Sequence, residues 1–161
     1  MMHLVEGAKI AQMLVPGATN ANPTTAYVDL SKCHKAFLVV HVAKGNAALT
    51  SFTLSQATTA AGGGPAKAFT NTVPIWSNLN CTATDTLVRR ANALTYALDN
   101  AADGRGQIVV FQIDPAKMDV AGGFKYVALV VAAGDAANIA GVMGYLVDHR
   151  YAQETPPTAI V

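Results

Sequence analysis

A chain of 161 residues has the ordinary size of one domain, and we interpret residues 1–161 as a single domain whose core is large enough to fold without disulfide bonds. Only 13% of the residues are charged, and the 11 basic and 10 acidic side chains are scattered, which excludes the clustered basic footprint of a nucleic-acid-binding protein. Hydrophobic residues make up 52% of the chain, but no apolar run approaches the roughly 18 residues that span a bilayer, so no membrane partner is expected.

Short runs with strand character follow one another along the chain, separated by Gly, Pro, Asn and Asp residues that favour turns. The frequency of these runs predicts an all-β protein, either a closed barrel or a two-sheet antiparallel β-sandwich. We favour the sandwich, jelly-roll-like, with at most one short helical turn, an extended N-terminal segment over about 1–24 and an extended C-terminal tail over about 151–161. The predicted strands are 9–15, 25–30, 35–43, 48–56, 73–78, 95–98, 107–113, 124–132 and 139–150.

Three of these strands contain nearly uninterrupted apolar runs, at residues 37–42, 108–111 and 127–131. Such runs are typical of strands covered on both faces, so these three are predicted to be central strands that pack against a second sheet and against neighbouring loops or subunits. The strand at 48–56 alternates instead, which predicts that Phe52 and Leu54 face the core and that its serines face water.

Helical signal is weak. Asp114 followed by Pro115 predicts a single helical turn, because an acidic cap and a proline at the first helical position precede a glycine pair at 122–123. The alanine-rich segment 91–102 is compatible with a helix or with a strand and turn, and we predict the strand at 95–98. Residues 57–72, rich in Ala, Gly and Thr, predict an exposed loop or mobile arm between strands of different sheets.

No arrangement of side chains typical of a catalytic or cofactor site is visible in the sequence. None of the serines lies in the tight GxSxG turn that presents a nucleophile. The glycines at 62–64 precede Pro65 rather than a lysine, which indicates a flexible loop and not a phosphate cradle. We therefore expect no enzyme activity, no catalytic residue and no cofactor. Most acids lie at predicted turns, where they cap or form Asx turns, namely Asp29, Asp99, Asp103, Asp114, Asp119 and Asp135.

The cysteines and histidines show no metal-ligand spacing. Cys33 and Cys81 are predicted to be two buried free thiols, with a single disulfide as the alternative. Cys33 and His34 are neighbours on a strand and should point to opposite faces, so we expect no metal site. The four histidines are His3, His34, His41 and His149.

Two further features have a functional and a structural interpretation. An exposed Trp76 could be the sugar platform of a carbohydrate-binding module, but the absence of a second tryptophan favours a core or interface aromatic. Arg89-Arg90, the only adjacent basic pair, is predicted to lie in a solvated strand end or loop.

Four segments of the C-terminal third have a distinctive sequence, namely 107–120, 124–129, 136–142 and 150–161. Together they resemble a family of small tailed-bacteriophage and prophage structural proteins, of the head decoration, cement or minor capsid type. The N-terminal half is similar in style only, through residues 27–32 leading into the apolar strand at 37–42. The resemblance implies a β-sandwich subunit that docks on a capsid shell, or alternatively a head-tail connector or tail component, and it carries no site residues.

The sequence therefore predicts a structural virion protein, made in the bacterial host cytoplasm, that binds and stabilises the shell. Its expected partners are the major capsid protein and copies of itself, since a net charge of +1 gives little repulsion between copies. The proline-containing tail at 155–161 should be extended, either frayed or laid as an arm on a neighbour. A carbohydrate-binding β-sandwich module is the alternative function.

Overall fold

The longest strands of this protein bury every second side chain, as expected where one face of a sheet packs on a core. In β9 (Gly106–Ile113), the buried residues Gln107, Val109, Phe111 and Ile113 alternate with half-buried neighbours. The same period of two runs through β3 (Cys33–Lys44). The computed structural model describes residues 7–62, 64–98, 105–132 and 134–149.

The described residues form two antiparallel sheets. The larger has six strands in the order β1-β11-β3-β9-β6-β7, and the smaller has the order β2-β10-β4-β5, with β8 also paired to β4. The prediction of an all-β sandwich is confirmed. The remaining strands are β1 (Ala8–Ala18), β2 (Val28–Asp29), β4 (Ser51–Ala57), β5 (Ala66–Ala68), β6 (Val73–Asn78), β7 (Val88–Ala93), β8 (Thr95–Ala97), β10 (Tyr126–Val131) and β11 (Asn138–His149).

One hydrophobic core fills the space between the two sheets. Leu38 and Phe111 reach it from the large sheet, Phe52, Leu54 and Leu129 from the small one, and all five are fully buried. Burial of each such side chain contributes roughly 1.5–3 kcal/mol, so these residues supply much of the force that joins the sheets. The predicted inward orientation of Phe52 and Leu54 is confirmed.

The three apolar runs do form central strands. β3 lies between β11 and β9, β9 between β3 and β6, and β10 between β2 and β4. The strand predicted at 25–30 is shorter than expected, because the Thr25 hydroxyl accepts the hydrogen bond of the Leu129 N–H at 3.0 Å and interrupts the ladder. The predicted Arg150 end of β11 lies outside the described residues, as do residues 1–6 and the tail at 151–161.

Residues 57–72 connect strands of different sheets, β4 and β6, as predicted, but they do not form a loop throughout. β5 pairs with β4 inside this segment, and Phe69 directly after it is buried. The Gln56 amide holds this stretch by donating to the Ala68 carbonyl at 3.2 Å and to the Thr70 hydroxyl at 2.7 Å. Because β5 covers this end of β4, Ser55 is buried rather than solvated as predicted, and its hydroxyl donates to the Lys67 carbonyl.

Arg89 and Arg90 lie within a full edge strand, β7, rather than at a strand end or in a loop. β7 pairs only with β6, and Arg90 Nε also donates to the Ser77 hydroxyl at 2.7 Å. Residues 91–93 end β7 and residues 95–97 form β8, so the strand interpretation of the alanine-rich segment holds over its described part. Residues 99–102 of that segment lie outside the described residues.

The predicted helical turn is present at Pro115–Lys117, where Asp114 Oδ1 accepts from the Ala116 N–H at 3.0 Å. A second 3-10 turn, which the sequence did not indicate, occupies Thr19–Ala21 and ends at Asn22 in the left-handed region, with φ of 50°. Neither turn, and no other helix in the described ranges, has the length and apolar character needed to cross a membrane.

The core assignment makes a direct prediction for two leucines near the same strand. Leu54 is fully buried, whereas Leu49 is 54% exposed. Leu54→Ala should lower the free energy of unfolding by about 2–5 kcal/mol, because it removes buried methyl groups and leaves a cavity. Leu49→Ala should change it by no more than about 0.5 kcal/mol. Urea unfolding of both variants tests this, and equal losses would contradict the core assignment.

A salt bridge fastens β5 to the loop before β10. Lys67 Nζ lies 2.5 Å from Asp119 Oδ2, and Asp119 Oδ1 accepts from the Gly122 N–H at 3.0 Å. The hydrogen bond from Lys67, followed by that from Gly122, lowers the pKa of Asp119 below its ordinary value. The pair therefore stabilises the fold above the ordinary pKa of an aspartate, and that contribution is lost as the pH falls through the lowered pKa.

Lys67→Met should raise the pKa of Asp119 toward the ordinary value, because the charged hydrogen-bond donor is removed. The measurement is an NMR titration of the Asp119 carboxyl in both proteins. Lys125→Met is the control, since the Lys125 ammonium lies over the ring of the adjacent Tyr126, 5.3 Å from its centroid. An Asp119 pKa that does not move in Lys67→Met would contradict the assignment.

Candidate interaction surface

The large sheet has a second apolar face, turned away from the small sheet, which we call the outer face. Because successive side chains of a strand point to opposite sides, the residues between the buried ones of β3, such as Phe37 and Val39, must lie on it. These residues are half-buried, and Ile10 and Ile139 on the same face are each 37% exposed. The large apolar residues of the outer face are Ile10, Phe37, Val39, Trp76, Ile108, Val110, Ile139, Met143, Tyr145 and Val147.

The antiparallel register aligns these side chains in rows across the sheet. One row crosses all six strands, and it consists of Gln12, Met143, Val39, Val110, Trp76 and Arg89. Tyr145 and Phe37 are paired in the next row, between Ile10 and Gln112. The face is therefore apolar and aromatic in its centre, and its arginine lies at the β7 edge.

Two shallow grooves mark the outer face. One, of about 400 Å³, is lined by Phe37, Trp76, Leu87, Val110 and Gln112. The other, of about 390 Å³, lies near the start of β11 and has walls that include Pro16 and Cys81. Its floor carries His41, Ile108 and Gly141. Both grooves are lined mainly by apolar atoms, which suits side chains of a protein partner better than a charged ligand.

Trp76 is half-buried in this face and is covered on one side by a cation. The Arg89 guanidinium lies 4.8 Å from the centroid of the indole ring. Arg89 also donates to the carbonyls of Ile75 and Arg90 and to the Asn92 side chain, so its position over the ring is fixed by several bonds. Contacts of this kind contribute about 0.5–1 kcal/mol at exposed sites. One face of the indole is thus already occupied in the single chain.

The cysteines and histidines considered from the sequence do not form a cluster among the described residues. His34 is exposed, whereas the adjacent Cys33 is buried, so the two point to opposite faces as predicted. Neither Cys33 nor Cys81 forms a disulfide; Cys33 is buried as predicted, but Cys81 is half-buried. Among the described residues, no three His, Cys, Asp or Glu side chains lie close enough together to hold a metal ion. His3 and Gly63 lie outside the described residues.

The acids predicted at turns do act on turn backbone. Carboxylates accept hydrogen bonds from the N–H groups of Ser31, Ala116, Gly122 and Ala137, at 2.8 to 3.0 Å. This use confirms the Asx-turn prediction for Asp29, Asp114, Asp119 and Asp135. Asp99 and Asp103 lie outside the described residues.

The outer face as a set was not predicted from the sequence. The signal that could have found it is the continuity of the apolar runs at 37–42 and 108–111, which requires apolar residues on both sides of the sheet. Tyr145, Met143 and Trp76 join that set only through strand pairing, because they come from distant parts of the chain.

The chain is similar to known proteins in its fold. No protein-family model matches the chain, and no curated protein matches its sequence. Among solved structures, the YomS protein derived from the SPBc2 prophage is similar at a TM-score of 0.50 and 11% identity, covering 88% of this chain and 93% of that one.

Two further structures show lower similarity. A candidate sugar-binding protein from Bacteroides thetaiotaomicron has a TM-score of 0.35 and 8% identity, covering 90% of this chain and 83% of that one. A mitogen from Yersinia pseudotuberculosis has a TM-score of 0.27 and 10% identity, covering 98% and 100%. The chain therefore has a sandwich fold similar to that of a prophage-derived protein.

Proposed function

We propose that this chain is a non-enzymatic structural protein of a bacteriophage virion, of the head decoration, cement or minor capsid type. It would bind the major capsid protein, act as an oligomer and stabilise the shell. The observation that carries the proposal is the outer face of the large sheet, whose centre is apolar and aromatic and is only half-buried in the single chain.

The composition of the outer face supports a role in assembly. The buried centres of protein interfaces are enriched in aromatic residues, Met and Arg and are depleted in Lys, Glu and Asp. The row across the sheet follows this pattern, with Met143, Val39, Val110 and Trp76 in its interior and Arg89 at its end. A monomer rarely exposes a contiguous apolar patch of several hundred Å², so a face of this extent is expected to be covered by protein.

The charge of the chain supports the same role. Its formal net charge is +1, so neither copies of the chain nor a shell meet strong long-range repulsion. Four of the six described aspartates bind turn backbone, so Asp85 and Asp148 are the other described acids. This use of the acids supports a structural rather than a catalytic function.

A sequence resemblance and a fold similarity support a role in a bacteriophage. The C-terminal third resembles small tailed-phage structural proteins, and the fold is similar to that of a protein derived from a prophage. Within a virion, a stable sandwich with one large apolar face is suited to bridging or covering other subunits. A connector or tail position would use the same properties.

We expect the purified protein to co-sediment with undecorated shells of the phage that encodes it and to bind them to saturation. Bound protein should raise the temperature at which the shells break down, because a ligand at about a hundred-fold excess over its Kd adds roughly 2.7 kcal/mol per site. The measurements are sedimentation with quantitative gel analysis, and thermal disruption followed by light scattering.

Shells that already carry their full complement of the protein are the matched control, and they should bind no more. Shells of an unrelated phage should bind none. Binding to isolated connectors or tails, and not to shells, would indicate that the protein is a connector or tail component. Failure to bind any of the three particles would remove the virion proposal.

A carbohydrate-binding module is the second candidate, favoured by the half-exposed Trp76 and the Gln112 amide in one groove. A sugar would have to stack on the indole face that Arg89 leaves free, or displace a guanidinium held by several hydrogen bonds. The geometry therefore favours the structural function.

We accordingly expect no saturable change in Trp76 emission when the protein is titrated with a panel of glycans. The signal is unambiguous because the chain contains a single tryptophan. Arg89→Ala, which uncovers the second indole face, should behave in the same way. A saturable shift with any glycan would favour the carbohydrate-binding function over the structural one.

A further inference from the structure

We propose that the outer face of the large sheet is covered by the same face of a second copy of this chain, giving a two-fold dimer of four stacked sheets. The inference rests on the proposed assembly function and deepens it by naming the occupant of this face. The observations behind it are the size, the composition, the charge distribution and the edge protection of the large sheet.

A stable dimer would use nearly the whole outer face. Six strands have five spacings of about 4.8 Å, so the face is about 24 Å wide, and the residues from Phe37 to Ala43 extend it about 20 Å along the strands. The flat product is about 480 Å², and the relief of the side chains adds to this area. Standard protein interfaces bury about 800 Å² on each partner, so the contact would extend from one edge of the face to the other.

The two faces of the large sheet are similar in side-chain type. Leu38 and Val40 face the core from β3, and Phe37 and Val39 occupy the outer positions of the same strand. The inner face is already packed against another sheet. Sheets with apolar faces stack about 10 Å apart with interdigitating side chains, so the outer face can make the same kind of layer contact with a sheet of its own shape.

The charge distribution of the face is compatible with self-association. A two-fold interface brings the same surface together twice, so a strongly charged face would repel its copy. Here the central row across the sheet is uncharged from Gln12 to Trp76, and its one cation, Arg89, lies at the β7 edge. A second cation, Lys35, lies on the same face two residues before Phe37, toward the end of the strands. A two-fold axis parallel to the strands places β7 of one copy over β1 of the other. Arg89 then meets the neutral Gln12 region rather than a second Arg89.

The edges of the large sheet are less suited to a second copy. β1 carries Pro16, which lacks an N–H, and its register shifts twice, between Gln12 and Leu14 and between Leu14 and Gly17. β7 carries Arg89 and Arg90, and antiparallel pairing with a second β7 would bring like charges together. Face-to-face packing avoids both obstacles.

The test is the mass of the full chain in solution, measured by light scattering after size exclusion at tens of micromolar, where interfaces of this size are populated. Wild type should elute at twice the chain mass of 16.7 kDa. Val110→Asp and Val39→Asp should weaken association at least about thirty-fold, because each copy would bury an unpaired carboxylate at the centre of the interface.

Val130→Asp is the matched control, since Val130 lies on β10 of the small sheet and is 37% exposed. It should remain a dimer. Circular dichroism confirms that each variant is folded. Dilution of the wild-type protein is a second test that needs no variant. The emission of Trp76 should shift to the red on dilution, because the indole becomes exposed to water when the dimer dissociates.

A dimer lost in Val110→Asp and Val39→Asp but kept in Val130→Asp supports the inference, as does the emission shift on dilution. A wild-type monomer, or a dimer that survives both face variants, would overturn it. A monomer that still binds shells overturns the dimer and leaves the proposed binding to the capsid shell intact. A dimer that binds no particle supports the dimer inference and overturns the virion proposal.

Discussion

The large sheet has apolar side chains on both faces, and only one of these faces is buried inside the sandwich. This follows from strand geometry, because a strand whose consecutive residues are all apolar must present them to both sides. In β3, Leu38 and Val40 enter the core, so Phe37 and Val39 are turned outward. The small sheet covers one side of the large sheet. The low charge of the chain and its apolar outer face are two expressions of this same constraint.

The sequence predicted the long, periodic strands well. The bounds of β6, Val73–Asn78, agree with the prediction, and β9 and β11 begin within one residue of it. These strands bury side chains at a regular period, and burial determines their conformation. β5 and β7 were missed because their sequences, Ala-Lys-Ala and a run around two arginines, have little strand propensity. Pairing with β4 and β6 determines their conformation, and that pairing is not visible in a single strand.

The interaction surface was predictable only in part. Uninterrupted apolar runs indicated that β3 and β9 require cover on two sides, and Trp76 was interpreted as a core or interface aromatic. The aromatic neighbours of Trp76 on this face were not predicted, because Phe37 and Tyr145 are 39 and 69 residues away from it in the chain. Register creates this cluster, and register depends on all six strands together. The half-buried position of Cys81 likewise depends on how the segment after β6 lies beside β9.

The protected edges of the large sheet limit the kind of assembly that the chain can build. A ribbon of copies grows by adding strand to strand, which requires a regular free edge that both donates and accepts hydrogen bonds. A proline and two shifts of register disturb that pattern at β1, and adjacent arginines oppose it at β7. Growth of a ribbon through either edge of the large sheet is therefore disfavoured, even at high concentration.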